Sequence, residues 1–409
     1  DNPQSVCSID LDGDGDNDLA VANTNLHNIS IFFNNGDGTF QEIAVNYSVG
    51  DYPVSVYSAD LDNDSDNDLA VANSFSNNVS ILLNNGDGSF QTAVNYDVGV
   101  GVRSVFSIDF DGDGYNDLAV TNYQYVLILL NNGDGTFQPA INYGAGDGPV
   151  SVFSSDLDGD GNNDLAVADY NSDIISILFN NGDGSFYLPL YYGVGDAPIS
   201  VFSIDLDGDN DNDLAVANYN SYNVSILLNN GDGSFQPAVN YGAGKGPFSI
   251  FSIDLDNDSD NDLAIANEGS DYVTILLNNG NGTFQPAGNY GAGSNPESVF
   301  SIDLDGDGDN DMAVANSSSD NISILLNLTI PPSCCIGITG NIDGSGDDQI
   351  DIADIVYFID YSFSLPQGPT PPCMEEADVN DDGNIDIADI VYLIDYSFNL
   401  PPGPAPLGC

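Results

Sequence analysis

Short apolar runs alternate with polar clusters along most of the chain. In residues 200–243 the runs are SVFSIDL, DLAVAN, NVSILLN and FQPAVNYGA, each bounded by Gly, Asn or Asp. Runs of this length, rich in Val, Ile, Leu, Phe and Tyr, predict β-strands, so the stretch reads as four of them. Many positions are apolar on both faces of a run. That suits a sheet sandwiched between neighbours, not one wetted on one side. The NNGDGSF segment between the third and fourth runs supplies Asn-Gly and Asp-Gly, which take the positive φ angles of tight hairpins. Asp37, Asp87 and their equivalents are therefore expected to serve the turn.

The whole unit repeats. Its first acidic residue recurs at Asp10, Asp60, Asp109, Asp156, Asp205, Asp254 and Asp303, at spacings of 50, 49, 47, 49, 49 and 49 residues. A period near 50 belongs to propellers and solenoids. Seven four-stranded units fit the blade numbers that propellers use. The expected fold is thus all-β, a seven-bladed β-propeller over residues 1–330. An open solenoid fits less well, because neither end carries a capping repeat. Copies one to six each have a fourth run. Copy seven passes from residues 322–327 straight into 328–330 and a pair of prolines. Residues 1–4 are too few to replace the missing strand, so blade seven is expected to expose an edge. Residues 328–330, the C-terminal segment, or a strand from a second copy are the candidates to cover it; the last would give self-assembly.

Between the first and second runs every copy carries an acidic loop with Asp at positions 1, 3, 5 and 9. These are Asp10, Asp12, Asp14 and Asp18; Asp60, Asp62, Asp64 and Asp68; Asp109, Asp111, Asp113 and Asp117; and Asp156, Asp158, Asp160 and Asp164. The series continues with Asp205, Asp207, Asp209 and Asp213; Asp254, Asp256, Asp258 and Asp262; and Asp303, Asp305, Asp307 and Asp311. Alternation turns the first three carboxylates toward one centre. Position 7 then offers its backbone carbonyl, and position 9 closes the shell. Position 7 is occupied in turn by Asp16, Asp66, Tyr115, Asn162, Asp211, Asp260 and Asp309. Oxygen-only coordination of this kind is what Ca²⁺ prefers, and the repeat implies about seven ions. Without a cation, carboxylates so close together repel strongly.

The pattern DxDxDGxxDLAVAN followed by NNGDGTF resembles the FG-GAP and VCBS repeats, including those of integrin α-subunit propellers, over residues 1–330. The resemblance implies a propeller with calcium in its rim loops and a role in adhesion or ligand binding. Tyr115 and Asn162 depart from the usual acid at position 7, which is tolerable if only the carbonyl binds. Ser65, Asn210 and Ser259 stand where position 6 is usually Gly, so those loops are expected to be slightly distorted.

After Asn327 the composition changes. Residues 331–338 read as a Pro- and Cys-containing linker. Two related copies follow in 339–409, GNIDGSGDDQIDIADIVYFIDYSFSLP and ADVNDDGNIDIADIVYLIDYSFNLP. The second contains Asp378, Asn380, Asp382, Asn384, Asp386 and Asp389 at the spacing of an EF-hand loop, with Gly383 at the turn position. In the first, counting back from Asp354 selects Asp343, Ser345, Asp347 and Asp351; an insertion that recruits Asn341 is the alternative. Duplication, with a short Asp closing each loop, resembles dockerin modules. This implies a small α-helical unit holding up to two calcium ions and docking to a cohesin-like receptor. Cys334 and Cys335 are too close in sequence to pair without strain. One is expected to bond Cys373 and the other Cys409. Cys7 replaces the aromatic residue of the other copies and is expected to be a buried thiol.

Charge changes the picture further. The 64 acidic residues face only Arg103 and Lys245, giving a net charge of −62, so the chain repels itself unless cations neutralise it. Nucleic acid and anionic membrane surfaces are excluded as partners, because no basic surface exists to meet them. No apolar run is long enough to span a membrane. Calcium loops, cysteines and few protease-sensitive cations together suggest an extracellular, secreted or cell-surface protein. The absence of an initiator Met suggests a processed or partial chain. Several Asn-x-Ser sequons, such as Asn28–Ser30, are weak signals of glycosylation. His27 is the sole histidine, and no Ser or Cys has a plausible base, so catalysis is not expected. The sequence therefore suggests a module that binds a glycan or an extracellular protein. The alternative is a structural subunit of an extracellular filament or surface assembly.

Overall fold

The computed structural model describes residues 1–327. They form seven antiparallel sheets, six of four strands and a last one of three. Each sheet is a meander in chain order. The inner strands are Pro3–Ile9, Pro53–Ala59, Ser104–Ile108, Pro149–Ser155, Pro198–Ile204, Pro247–Ile253 and Pro296–Ile302. Each packs on the inner strand of the next blade, and blade one meets blade seven, so the ring closes as a seven-bladed β-propeller. Among the described residues no helix is long and apolar enough to cross a membrane.

The blades differ in burial from inside to outside. The second strands, DLAVAN in blades one, two and five, are buried at every position, which explains why they alternate so little. Apolar clusters lie between consecutive blades; one joins Leu206, Ala215, Val224 and Ile226 of blade five to Ile250, Leu263 and Ile265 of blade six. The outer strands are largely exposed, with only one tyrosine half-buried, as in Val239–Gly242. Here the run-length reading needs correction. FQPAVNYGA is not one nine-residue strand, because Phe235 makes only an isolated bridge to Asn229 before the ladder resumes at Val239. A rim strand has one neighbour and little apolar surface to bury, and Pro237 offers no N–H to the ladder. Blade six keeps a longer outer strand, Phe284–Gly291, at the cost of a register shift between Ile275 and Leu276.

One side chain per inner strand lines the axis. Tyr57, Phe106, Phe153, Phe202, Phe251 and Phe300 follow one another with ring centroids 4.6–5.0 Å apart. Cys7 takes the seventh place as a buried free thiol, pushed up to about 12 by its burial. Blade seven ends at Asn321–Leu325 with no fourth strand among the described residues, and this edge strand is less buried than the third strands elsewhere. The candidates to cover it, the linker, the EF-hand-like loops and the four remaining cysteines lie outside the described residues, apart from a strand of a second copy.

Polar pins join the blades. The first Asn of each NNGDG hairpin is buried, and its side-chain amide donates to a backbone carbonyl of the preceding blade. Asn84 reaches Leu11 O at 2.8 Å, Asn180 reaches Phe110 O at 2.8 Å, and Asn34 closes the ring on Leu304 O at 2.8 Å. Asn180→Ala would take one donor from the Phe110 carbonyl, which keeps the Gly184 N–H, leave the Asn163 carbonyl without its Asn180 donor and free the Gly182 N–H. A loss of about 1–3 kcal/mol in urea unfolding is expected. A change below roughly 0.5 kcal/mol would show that the pin is ornamental.

Candidate metal centre

The acidic loops all follow inner strands and so lie at one end of the ring. Their conformation is set by backbone-to-carboxylate bonds, most of which recur in every blade. In blade one, Asp10 accepts the Gly13 N–H at 2.7 Å and the Gly15 N–H at 3.0 Å, which curls the loop. Asp18 at position 9 is wholly buried and accepts two N–H groups, Leu11 at 2.9 Å and Asn34 at 2.8 Å. It therefore ties the loop to the hairpin of its own blade. The loops are also tied to each other. Asn67 donates to Asp10 O at 2.9 Å, Asn116 to Asp60 O at 2.9 Å, and Asn17 to Asp303 O at 3.1 Å, completing the circle.

This folding brings positions 1, 3 and 9 together. The trios Asp10–Asp12–Asp18, Asp60–Asp62–Asp68, Asp109–Asp111–Asp117, Asp156–Asp158–Asp164 and Asp205–Asp207–Asp213 each place three carboxylate oxygens within 4.8 Å of one another. Two further groups of this kind occur among the described residues. Position 5 stands beside the trio. Asp14 accepts the Asp16 N–H at 3.0 Å, and its charge helps to push the neighbouring Asp12 carboxyl up. The side chain of position 7 faces elsewhere. Asp16, Asp66, Tyr115, Asn162, Asp211 and Asp260 each lie against the first glycine of the hairpin, where an added Cβ at Gly36 would come within 2.6 Å of Asp16 Oδ2. A side chain turned to that glycine can vary, which accounts for Tyr115 and Asn162.

The loops without Gly at position 6 keep their turn, contrary to expectation, although in the third of them Asp254 Oδ1 is left without a hydrogen-bond partner. Ser65, Asn210 and Ser259 adopt φ of 75°, 72° and 75°, and each still donates to the first Asp of its loop. So many bonds define the loop that the residue bears the left-handed strain, about 1–2 kcal/mol, and the geometry holds.

Burial pushes the position-9 carboxyls up, to about 7 for Asp68, Asp164 and Asp213 and about 6 for Asp18, Asp117 and Asp262. Position 3 is pushed the same way, by burial first and then by its acidic neighbours. Asp62 Oδ1 and Asp207 Oδ1 are buried with no hydrogen-bond partner. Crowded carboxylates, oxygen donors only and orphaned oxygens fit a hard divalent cation. Positions 1, 3 and 9 would hold it, with position 5 adjacent, and it would supply the neutralising charge. Asp207→Ala is expected to remove one bound ion and leave the others, because each trio is built within one blade. Counting bound metal in the variant tests this; loss of every site together would contradict it.

Sequence reasoning passed over the Asn pins. Asn at loop position 8 is present in all seven copies, and the first hairpin Asn in six, with Asn327 standing at its place in the seventh, a constancy that turn chemistry alone does not demand. Asp37 behaves as a turn residue: it accepts the Thr39 N–H and hydroxyl, and these bonds pull its carboxyl below the usual range.

Several solved structures share this fold. An Agrocybe aegerita lectin, described as recognising non-reducing terminal N-acetylglucosamine, is 24% identical with a TM-score of 0.53, over 78% of this chain and 86% of that one. The BBS1N chain in complex with ARL6DN is 15% identical with a TM-score of 0.57, over 80% and 92% of the two chains. The periplasmic gluconolactonase of Pseudomonas aeruginosa is 15% identical with a TM-score of 0.56, over 80% and 89%. No sequence among the curated proteins matches. The FG-GAP-like repeat model matches at residues 10–71, 60–119, 109–167, 156–216, 205–265 and 254–314, about three quarters of the chain. Every match begins on the first Asp of one acidic loop and runs past the last Asp of the next. On that footing the chain belongs to the FG-GAP-like repeat family.

Proposed function

We propose that this is a calcium-stabilised, extracellular binding protein. Its propeller would hold a glycan or protein ligand, and its C-terminal segment would dock to a cohesin-like partner or a surface. The observation that carries the reading is the set of seven acidic groups built to one plan at one end of the ring. They leave the other end free to vary. Calcium is the cation of choice because the donors are all oxygen, and millimolar extracellular calcium would fill even weak sites. Binding is favoured over catalysis because the one histidine is used in structure: His27 Nδ1 accepts the Tyr52 N–H at 3.0 Å across an inter-blade connection. The lectin with the same fold makes glycans the first ligands to try. A glycan array probed with the calcium-loaded chain tests this. Calcium-dependent retention of a defined glycan supports the reading; no retention of any glycan or extracellular protein would sink it.

A second reading rests on blade seven. Among the described residues its sheet has three strands and offers an edge to a further one, which favours a structural subunit that assembles through that edge. A polymer in calcium by light scattering would support assembly, and a monodisperse monomer would reject it.

A further inference from the structure

We propose that the mouth of the central channel, at the end away from the acidic loops, binds a small zwitterionic ligand of short-peptide size, with its ammonium at Glu297 and Glu268 and its carboxylate at Arg103. This deepens the binding reading above and rests on it. The cavity there has a volume of about 620 Å³ and is lined by the first halves of the inner strands and by the connections between second and third strands. That volume lies within the ordinary range for small-ligand sites. The channel does not run open: one alternation further along each inner strand stands the ring of aromatic side chains described above.

Two orphaned charges define its chemistry. Glu297 is only 9% exposed; its Oε1 accepts the Ser317 hydroxyl, and its Oε2 is buried with no hydrogen-bond partner, although the Gln4 amide is close enough to ease its charge. Burial, and then the Glu268 charge, push Glu297 up to about 7. An ammonium beside it would relieve both effects. Arg103 is one of two cations in the chain; it donates to the Tyr123 hydroxyl at 3.2 Å and lies over that ring at 5.5 Å from its centre, and its Nε is buried with no hydrogen-bond partner. Arg103 belongs to blade three and Glu297 to blade seven, so the two poles lie nearly across the ring from each other.

Between the poles the wall offers donors. One serine per blade, from Ser5 to Ser298, faces this cavity. Six of these hydroxyl oxygens accept an N–H from the next blade, as Ser5 does from Val56 at 3.2 Å and Ser298 from Val6 at 3.2 Å. Each hydroxyl proton is left to donate inward. Carbonyl oxygens of a peptide are suitable acceptors, Phe248 gives an apolar flank, and Tyr219 donates its hydroxyl to Glu268 Oε2 and so holds that carboxylate at its pole. An extended tripeptide spans roughly 10 Å, enough to reach from one pole toward the other.

The test is calorimetric titration of the calcium-loaded full chain with triglycine, N-acetyltriglycine, triglycine amide and N-acetylglucosamine. Triglycine is expected to bind, and either blocked form at least tenfold more weakly. E297Q and R103Q, checked for native circular dichroism, should each cost tenfold or more for triglycine and little for the blocked peptide that already lacks the matching charge. Blocked and free peptides binding alike, or no heat from triglycine at 10 mM, would overturn the proposal. N-acetylglucosamine binding that survives both substitutions would place glycan recognition elsewhere and leave the broader binding reading standing.

Discussion

Removal of calcium by dialysis against a chelator is expected to lower the melting temperature by tens of degrees. At calcium a hundredfold above its dissociation constant, a site that exists only in the folded chain stabilises it by about 2.7 kcal/mol. Seven such sites sum to roughly 19 kcal/mol, more than the whole stability of an ordinary domain. Charge points the same way, since seven divalent ions would bring 14 positive charges to a chain of net charge −62. Each trio would otherwise hold its carboxylates within 4.8 Å of one another. Chelation should also invert the pH dependence. In the metal-free chain six of the position-9 carboxyls sit at about 6 to 7 when folded, against an ordinary value of 3.8, and Asp311 is pushed up by burial as well. The folded state then binds more protons than the unfolded one across this window, so its stability falls as pH rises from about 4 to 7. The calcium-loaded chain must behave oppositely, because acid protonates the ligands and expels the ion. Scanning calorimetry at pH 5 and pH 7.5, with calcium and after its removal, gives four melting temperatures. An unchanged transition on chelation would refute the calcium reading. A metal-free chain that is more stable at pH 7.5 would refute the assignment of the buried carboxyls.

The fold was legible because the repeat writes its architecture seven times. Periodicity gave the blade count, and DLAVAN gave a strand buried on both faces, which the structure bears out at every position of Asp213–Asn218. The acidic loops were legible for a local reason: alternation of Asp and Gly over nine residues leaves few conformations. Illegible features were those that depend on the neighbouring blade. Nothing within one copy tells Asn84 to reach Leu11 O, 73 residues away, or sets Glu297 against Glu268 on the preceding blade. The outer strands were overread because a run of apolar letters does not reveal whether a second sheet covers it. Position 7 could be assigned a carbonyl from spacing, but its side chain's lodging on a hairpin glycine requires the returning hairpin, which only the folded blade supplies.

The four aspartates of a loop, alike in sequence, should respond very differently to amidation. In blade five, Asp213 is wholly buried and accepts the Leu206 N–H at 2.9 Å on one oxygen and the Asn229 N–H at 2.7 Å on the other. Asn at this position has a single acceptor oxygen, so its NH₂ must face one of those two N–H groups. Donor against donor in a buried site leaves one backbone N–H unpaired, a loss of about 1–3 kcal/mol. Asp209, at position 5, adjoins Asp207 and accepts the exposed Asp211 N–H at 3.0 Å, a bond that Asn can also accept. Asp209→Asn should therefore cost less than about 1 kcal/mol of folding stability apart from weakened calcium binding. The comparison separates the two roles when it is made after calcium removal. There the penalty of Asp213→Asn is expected to persist in urea unfolding, because it arises from the backbone, while that of Asp209→Asn vanishes, because its carboxylate has only the ion to serve. Equal penalties for the two variants without calcium would show that position 9 is a metal ligand and nothing more, and that the loop does not depend on it to join the hairpin.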